Sequence, residues 1–381
     1  MKKILIITLE YPPDIGGIAS YVHQFAEELD PKTTIVYAPN TKDAEKWDKL
    51  QKYKVIRKKP YYPSFVWPRW LKMYFQINSI VKKEGIEILF IHHSLPVGYV
   101  GLLIKKFNKI PYIIFSHGTD VLAGTSTKWK RKMIKKVTSG ADAVVFNSDS
   151  LKRRLTRVLS EVEDKSVVVY PCPLDDFYTP ASKELLDNLK SQYALEGKKV
   201  ILSIGRIEDG KGFTHLLRVL PKILKSAPNL VWLVIGEGPK KKFLVDEMQK
   251  NNLQNVVRFI GQVPHNQLKP FYYLSDLFVL LTHPDNGKEE GLGMVFLEAA
   301  ACGKPVVAGR SGGVPEAVIH TQTGLVVDVN QGDPGIVDAI TQILFNESYA
   351  DRIGQQAQAR MREEFQWKHQ LARLDHWIRD W

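Results

Sequence analysis

The sequence predicts an α/β protein of two Rossmann-like domains facing across a cleft, with a C-terminal helix crossing back to the first domain. Three observations carry this. Short β-branched runs alternate with amphipathic stretches along all 381 residues, the pattern of strands in a parallel sheet covered on both faces. The alternation restarts after the polar stretch "LDDFYTPASKELLDNLKSQYALEGK", residues 174–198. A chain of this length also suits two domains, at roughly 100–200 residues each.

In chain order, strands are expected at 3–9, 33–38, 86–92, 111–116, 143–147 and 166–170, with helical periodicity between them at 18–29 and 129–139. The opening "MKKILIITLEYPPD" stops its apolar run at Glu10, with prolines next and no small-residue cleavage site. It reads as a first strand rather than a signal peptide. The second set of strands is expected at 199–204, 230–235, 256–260, 277–281, 305–308 and 325–327. The aromatic-rich tail, 336–381, reads as helical. The domain expectation is therefore 1–175, joined by a segment from about 365 to 381, and 176–364.

Composition narrows the class. No run of about 18 apolar residues occurs, so no transmembrane helix is expected. The two cysteines, Cys172 and Cys302, lie far apart. They suit buried thiols in a reducing cytoplasm rather than a disulfide framework. The formal charge of +12 is uneven: residues 1–180 hold 29 Lys and Arg against 18 Asp and Glu, the remainder 24 against 23. One half carries nearly all the field, which suggests a negative partner.

Two loops could hold phosphate. After the first strand, Gly16 and Gly17 precede an amphipathic helix, and a glycine pair there lets backbone N–H groups approach an anion. A plain strand–helix turn accounts for the pair equally well. The G-x-G-x-x-G spacing of a dinucleotide site is absent. After the strand at 199–204 comes "GRIEDGKGF", in which Arg206 and Lys211 stand among three glycines. Two cations converging at a strand's carboxyl end suit a diphosphate. In "EEGLGMVFLEAAACGKPVVAGRSGGVPE", residues 289–316, Glu290 and Glu298 bracket a short apolar run. A core helix has no need of an acid at each end.

Together, "PPDIGGIASYV", "SHGTD", "GRIEDGKG", "EEGLGMVFLEAAACGKPVVA" and "SGGVPE", in that order over nearly the whole chain, resemble the retaining glycosyltransferases of family 4. Within that family the motifs look most like GDP-mannose-dependent mannosyltransferases acting on phosphatidylinositol mannosides. The resemblance implies a GT-B architecture and transfer of a hexose, mannose from GDP-mannose, from a nucleotide diphosphate to a lipid-linked or glycan acceptor, with retention. It implies that Glu290 accepts hydrogen bonds from sugar hydroxyls, Glu298 takes the ribose, and Arg206 and Lys211 neutralise the diphosphate. His117, with Gly118 and Asp120 beside it, matches the histidine that faces the donor sugar.

Residue chemistry adds detail. Eight residues of helix rise about 12 Å, comparable to the span from hexose to ribose, if Glu290 and Glu298 share one helix. The amides of Gly291, Leu292, Gly293 and Met294 would then meet sugar or phosphate oxygens. Loops Gly236–Gly238 and Gly261–Val263 are expected around the base. Fixed cations, and the absence of any Asp-x-Asp pair, suit a mechanism with no metal and no cofactor. A same-face substitution, in which the departing phosphate takes the acceptor proton, is the expected route. His92 and His93 read as structural.

Residues 46–83 hold eleven Lys and Arg against one acid, Asp48, interleaved with "YYPSFVWPRWLKMYF"; residues 128–136, "KWKRKMIKK", add six cations. Aromatic rings mixed with cations are what an interfacial membrane segment uses. The expected partners are a nucleotide sugar, a lipid or glycan acceptor and an anionic membrane surface, with no nucleic acid. The expected location is cytoplasmic, peripheral on the inner membrane face. A solvated basic face remains open, as do a family 4 transferase using a UDP-sugar, a sugar-nucleotide epimerase or phosphorylase, and a non-catalytic binding module.

Overall fold

The computed structural model describes residues 1–14, 16–118 and 126–379. The chain divides into two compact units: Met1–Pro171 together with the segment from Trp367, and Cys172–Gln366.

The first unit is built on seven strands: β1 Ile4–Ile7, β2 Thr34–Pro39, β3 Lys54–Lys58, β4 Ile88–Ile91, β5 Tyr112–Ser116, β6 Ala143–Phe146 and β7 Ser166–Val168. Their order is β3-β2-β1-β4-β5-β6-β7, all parallel. The central strands are buried along their whole length, because helices cover both faces and leave no place for a polar alternation. The strand-order reversal falls between β1 and β4.

The second unit repeats the plan with β8 Lys199–Ile204, β9 Leu230–Ile235, β10 Val257–Gly261, β11 Leu277–Leu280, β12 Val306–Gly309 and β13 Leu325–Val327. Their order is β10-β9-β8-β11-β12-β13, again parallel, with the reversal between β8 and β11.

Three differences from the sequence reading stand out. Strand β3 lies inside the basic run and was not expected. It is an edge strand with exposed lysines at both ends, so only its middle is apolar enough to signal. The tail is helical as expected, but the part that returns to the first unit is two short helices, Trp367–Ala372 and Asp375–Ile378, rather than one. They pack on the first unit, where Trp367 meets Tyr21 and Phe25, Arg373 donates to the Val168 carbonyl, and Lys2 N–H donates to Ile378 O. The polar stretch after Cys172 is also ordered, as a turn at Asp175–Tyr178 and a helix at Lys183–Gln192. Cys172 and Cys302 are both buried thiols.

Candidate active site

Ligands of open parallel sheets bind beyond the carboxyl ends of the strands, at the reversal of strand order. In the second unit the loops leaving β8, β9, β10 and β11 are laced together by main-chain hydrogen bonds. Gly205 N–H donates to Ile235 O, Gly236 N–H to Gly261 O, Ile207 N–H to Glu237 O and His283 N–H to Gly210 O, at 2.8–3.0 Å. The close approach depends on Gly212, at φ +75°, where a Cβ would stand 1.9 Å from Leu281 O. The expected base loops, Gly236–Gly238 and Gly261–Val263, thus meet at the same edge as Lys211.

Lys211, after β8, reaches across the reversal to Glu290, after β11, with Nζ 2.5 Å from Oε2. Burial opposes the lysine's charge. The Glu290 carboxylate, and then Glu208, outweigh that and hold Lys211 above the ordinary lysine pKa. The Glu290 backbone is fixed at both ends: its N–H donates to Ser311 Oγ and its carbonyl accepts from Gly313 N–H. Gly312, at φ +47°, has no room for a side chain, since a Cβ would lie 2.0 Å from Glu290 O.

One expectation needs correction here. The helix begins only at Met294 and ends at Ala301, with Gly293 as its N-cap. Glu290, Gly291 and Leu292 therefore precede it in a bend, and Leu292 is core. Glu290 and Glu298 do not share one helix, so the 12 Å rise between them does not hold; the glycines at 291 and 293 break the helical run. Arg206 is exposed, its side chain 68% accessible, and it pairs at 3.3 Å with Glu208, the carboxylate that also supports the charge of Lys211.

Glu298 lies within the helix and is 2% exposed. Its Oε1 sits 2.8 Å from His265 Nε2, and its Oε2 accepts from Tyr272 OH at 2.7 Å. Neither partner was anticipated. His265 follows β10 by four residues and Tyr272 belongs to the short helix Lys269–Leu274, with no motif marking either. Burial works against a charged His265, yet Glu298 raises its pKa above the ordinary histidine value. Burial first, and Glu298 second, drive the Tyr272 hydroxyl well above its ordinary value.

In the first unit, Gly16 caps the helix Gly17–Glu27 in an extended conformation. Glu10, after β1, meets His93, after β4, at 3.6 Å. That contact with His93 holds Glu10 below the ordinary carboxylate value, against burial. His117 Nε2 lies 3.2 Å from His92 Nδ1, and its ring meets Tyr21 edge-on at 5.1 Å. His92 is fully buried and stacked on Phe115 at 4.3 Å. Burial, then His117 and His93, keep it neutral. Of the two histidines read as structural, His92 thus adjoins the one read as functional and His93 meets Glu10; "IHHS" marks a strand end, but only the topology places it beside β1. Asp120 lies outside the described residues.

The basic stretch 46–83 is not one interfacial segment. Tyr53, Met73, Ile77 and Ile80 belong to the core, and Arg57 is committed to Asp48 at 2.8 Å. The helices Leu71–Glu84, Val97–Asn108 and Lys128–Gly140 pack side by side over one hydrophobic cluster. Their outer sides carry the exposed Phe75, Phe107 and Trp129, and the loop before the first of them carries Phe65 and Trp67, 85% and 83% exposed. No helix among the described residues is long and apolar enough to cross a membrane.

Two parallel sheets, each reversing its strand order beside a pair of facing side chains, have the architecture of the GT-B fold. The chain carries two glycosyltransferase domains: the model for glycosyltransferase family 4 matches residues 15–176, and the model for glycosyl transferases group 1 matches residues 187–360. It is 26% identical, over all of this chain and 98% of the relative, to the GDP-mannose-dependent α-(1-6)-phosphatidylinositol monomannoside mannosyltransferase of Mycobacterium tuberculosis. The enzyme of that name from Mycolicibacterium smegmatis is 27% identical, over 97% of each chain. An N-acetyl-α-D-glucosaminyl L-malate synthase of Bacillus anthracis is 26% identical over 80% of this chain and 77% of its own. In fold, the chain resembles Anabaena HepE solved with UDP and glucose, at TM-score 0.82, 18% identity and 99% coverage of both chains.

Proposed function

We propose that this glycosyltransferase moves mannose from GDP-mannose to a hydroxyl of a lipid-linked or glycan acceptor, with retention of configuration and without a metal ion. The observation that carries this is the Lys211–Glu290 pair at the strand-order reversal of the second unit. A lysine and a carboxylate held on each other exchange partners when a donor enters. Lys211 then faces the diphosphate and Glu290 accepts from sugar hydroxyls. Lys211, helped by Arg206 from the rim, stabilises the negative charge that grows on the leaving phosphate, the work a metal does elsewhere. The amides of Gly291, Gly293 and Met294 face sugar or phosphate oxygens, Glu298 takes the ribose, and Gly261 and Val263 border the base. By resemblance to the family, His117 acts on the transferred sugar, and Gly16 and Gly17 act on the donor.

In the same-face route, the bond from the anomeric carbon to the phosphate oxygen breaks as the bond to the acceptor oxygen forms. The acceptor proton passes to the departing phosphate. Isolation of a sugar covalently bound to a side chain would replace this with a double displacement. The names of the mycobacterial relatives support GDP-mannose and a phosphoinositide-type acceptor. The row of basic helices with exposed aromatics supports docking on an anionic membrane, where rings enter the headgroup zone.

Thermal shift with GDP, UDP and ADP tests the donor, because a ligand that binds the native state raises Tm. A GDP-selective rise, with mannose transfer to extracted lipid, is expected. A UDP-selective rise would move the assignment to a UDP-sugar donor.

A further inference from the structure

Glu298 is held by two side chains from two other elements, and a single aromatic ring packs on both. His265 comes from the turn after β10 and Tyr272 from the helix Lys269–Leu274. Phe177 lies 5.7 Å from each ring. The Glu298 side chain is 3% exposed and that of His265 is 25% exposed, so of the two it is the imidazole that reaches the surface. A carboxylate offers about four lone-pair sites on its two oxygens. His265 and Tyr272 use one on each oxygen, leaving one on each for a pair of adjacent hydroxyls.

We propose that His265 and Tyr272 are positioning residues that aim Glu298 at the two ribose hydroxyls of the donor, and so set a preference for ribose over 2′-deoxyribose. This rests on the reading above that Glu298 meets the pentose. A buried carboxylate with only one anchored oxygen can turn about its last bond and present a single lone pair, which suits one hydroxyl as well as two. With both oxygens anchored the plane of the carboxylate is set, and a diol bridges it in one orientation. Tyr272, fully buried, needs the partner in any case. His265, reaching the surface, has no such need.

The test titrates GDP, UDP and their 2′-deoxy counterparts into the wild-type protein and into Tyr272→Phe, His265→Ala and His265→Gln variants. The wild type should prefer the ribonucleotide by about tenfold, the size of one hydrogen bond to a charged group. Tyr272→Phe and His265→Ala should bring that ratio toward one while leaving the affinity for the deoxy compound nearly unchanged. His265→Gln, whose amide also donates, should restore most of the ratio. A ratio unaltered in both Tyr272→Phe and His265→Ala, with Glu298→Gln still abolishing it, would overturn the positioning role and leave the pentose reading standing. A wild type without preference, whose nucleotide affinity Glu298→Gln does not change, would overturn the pentose reading and this proposal with it.

Discussion

At the strand-order reversal of the first sheet, Glu10 follows β1, His93 follows β4, and their side chains meet at 3.6 Å. At the equivalent place in the second sheet, Lys211 follows β8, Glu290 follows β11, and they meet at 2.5 Å. The backbone plan is the same, but the chemistry is not. The first unit surrounds its pair with imidazoles, whose ring nitrogens can both donate and accept hydrogen bonds. The second uses an ammonium whose charge Glu290 reinforces and floors the site with glycines. Topology therefore says where a site lies, and the side chains at the two loop ends say what it can do. A permanent cation suits a diphosphate; neutral imidazoles suit hydroxyl groups, which donate and accept in turn.

The contrast can be broken most directly at Lys211. Lys211→Ala should reduce sugar transfer by about 10²–10³-fold, the usual loss for a donor aimed at developing charge, with circular dichroism unchanged. Equal activity would mean that the second unit's pair is only structural. Next in size, His92→Phe keeps the stack on Phe115 but removes the contact to His117. A loss of roughly tenfold in kcat, with little change in donor KM, would show that the first unit acts through an oriented imidazole. The two halves should also differ at surfaces. Replacing Phe65 and Trp67 together with Ser should weaken sedimentation with anionic vesicles by about tenfold while moving Tm by no more than the small shift usual for exposed sites.

The smallest effects are in pH dependence, and they run in opposite directions. Glu10 has a lowered pKa, so its contribution to stability is present above about pH 4.3, the ordinary carboxylate value. It is lost as pH falls through the folded value, and Glu10→Gln should flatten that acid limb of a Tm–pH curve. His265 has a raised pKa, so its contribution is complete below about pH 6.5 and is lost as pH rises through the folded value. His265→Gln should flatten the alkaline limb instead.

Much of this was legible in the residues. Twelve of the thirteen strands among the described residues announce themselves as short apolar runs, most of them because a strand covered on both faces has no solvent side to show. Strand β3 hides because an edge strand flanked by lysines looks like a charge run. Lys211 and Glu290 could be chosen from glycine-rich spacing, but their mutual contact could not: 79 residues separate them, and only the neighbouring places of β8 and β11 join them. Arg206 and Lys211 could be chosen the same way, but the acid between them, Glu208, which pairs with Arg206 and supports the charge of Lys211, was not foreseen. His265 and Tyr272 stayed invisible because a lone histidine and a core tyrosine carry no pattern until Glu298 is seen between them.

Because the chain leaves the first unit at Pro171 and re-enters it at Trp367, the second unit lies, in sequence, wholly inside the first. During synthesis the inner unit is complete while the outer one still lacks the turns that cover Tyr21 and bond to Lys2 and Val168. Trimming the carboxyl end should therefore injure the half that is made earliest, and spare the half adjoining the cut.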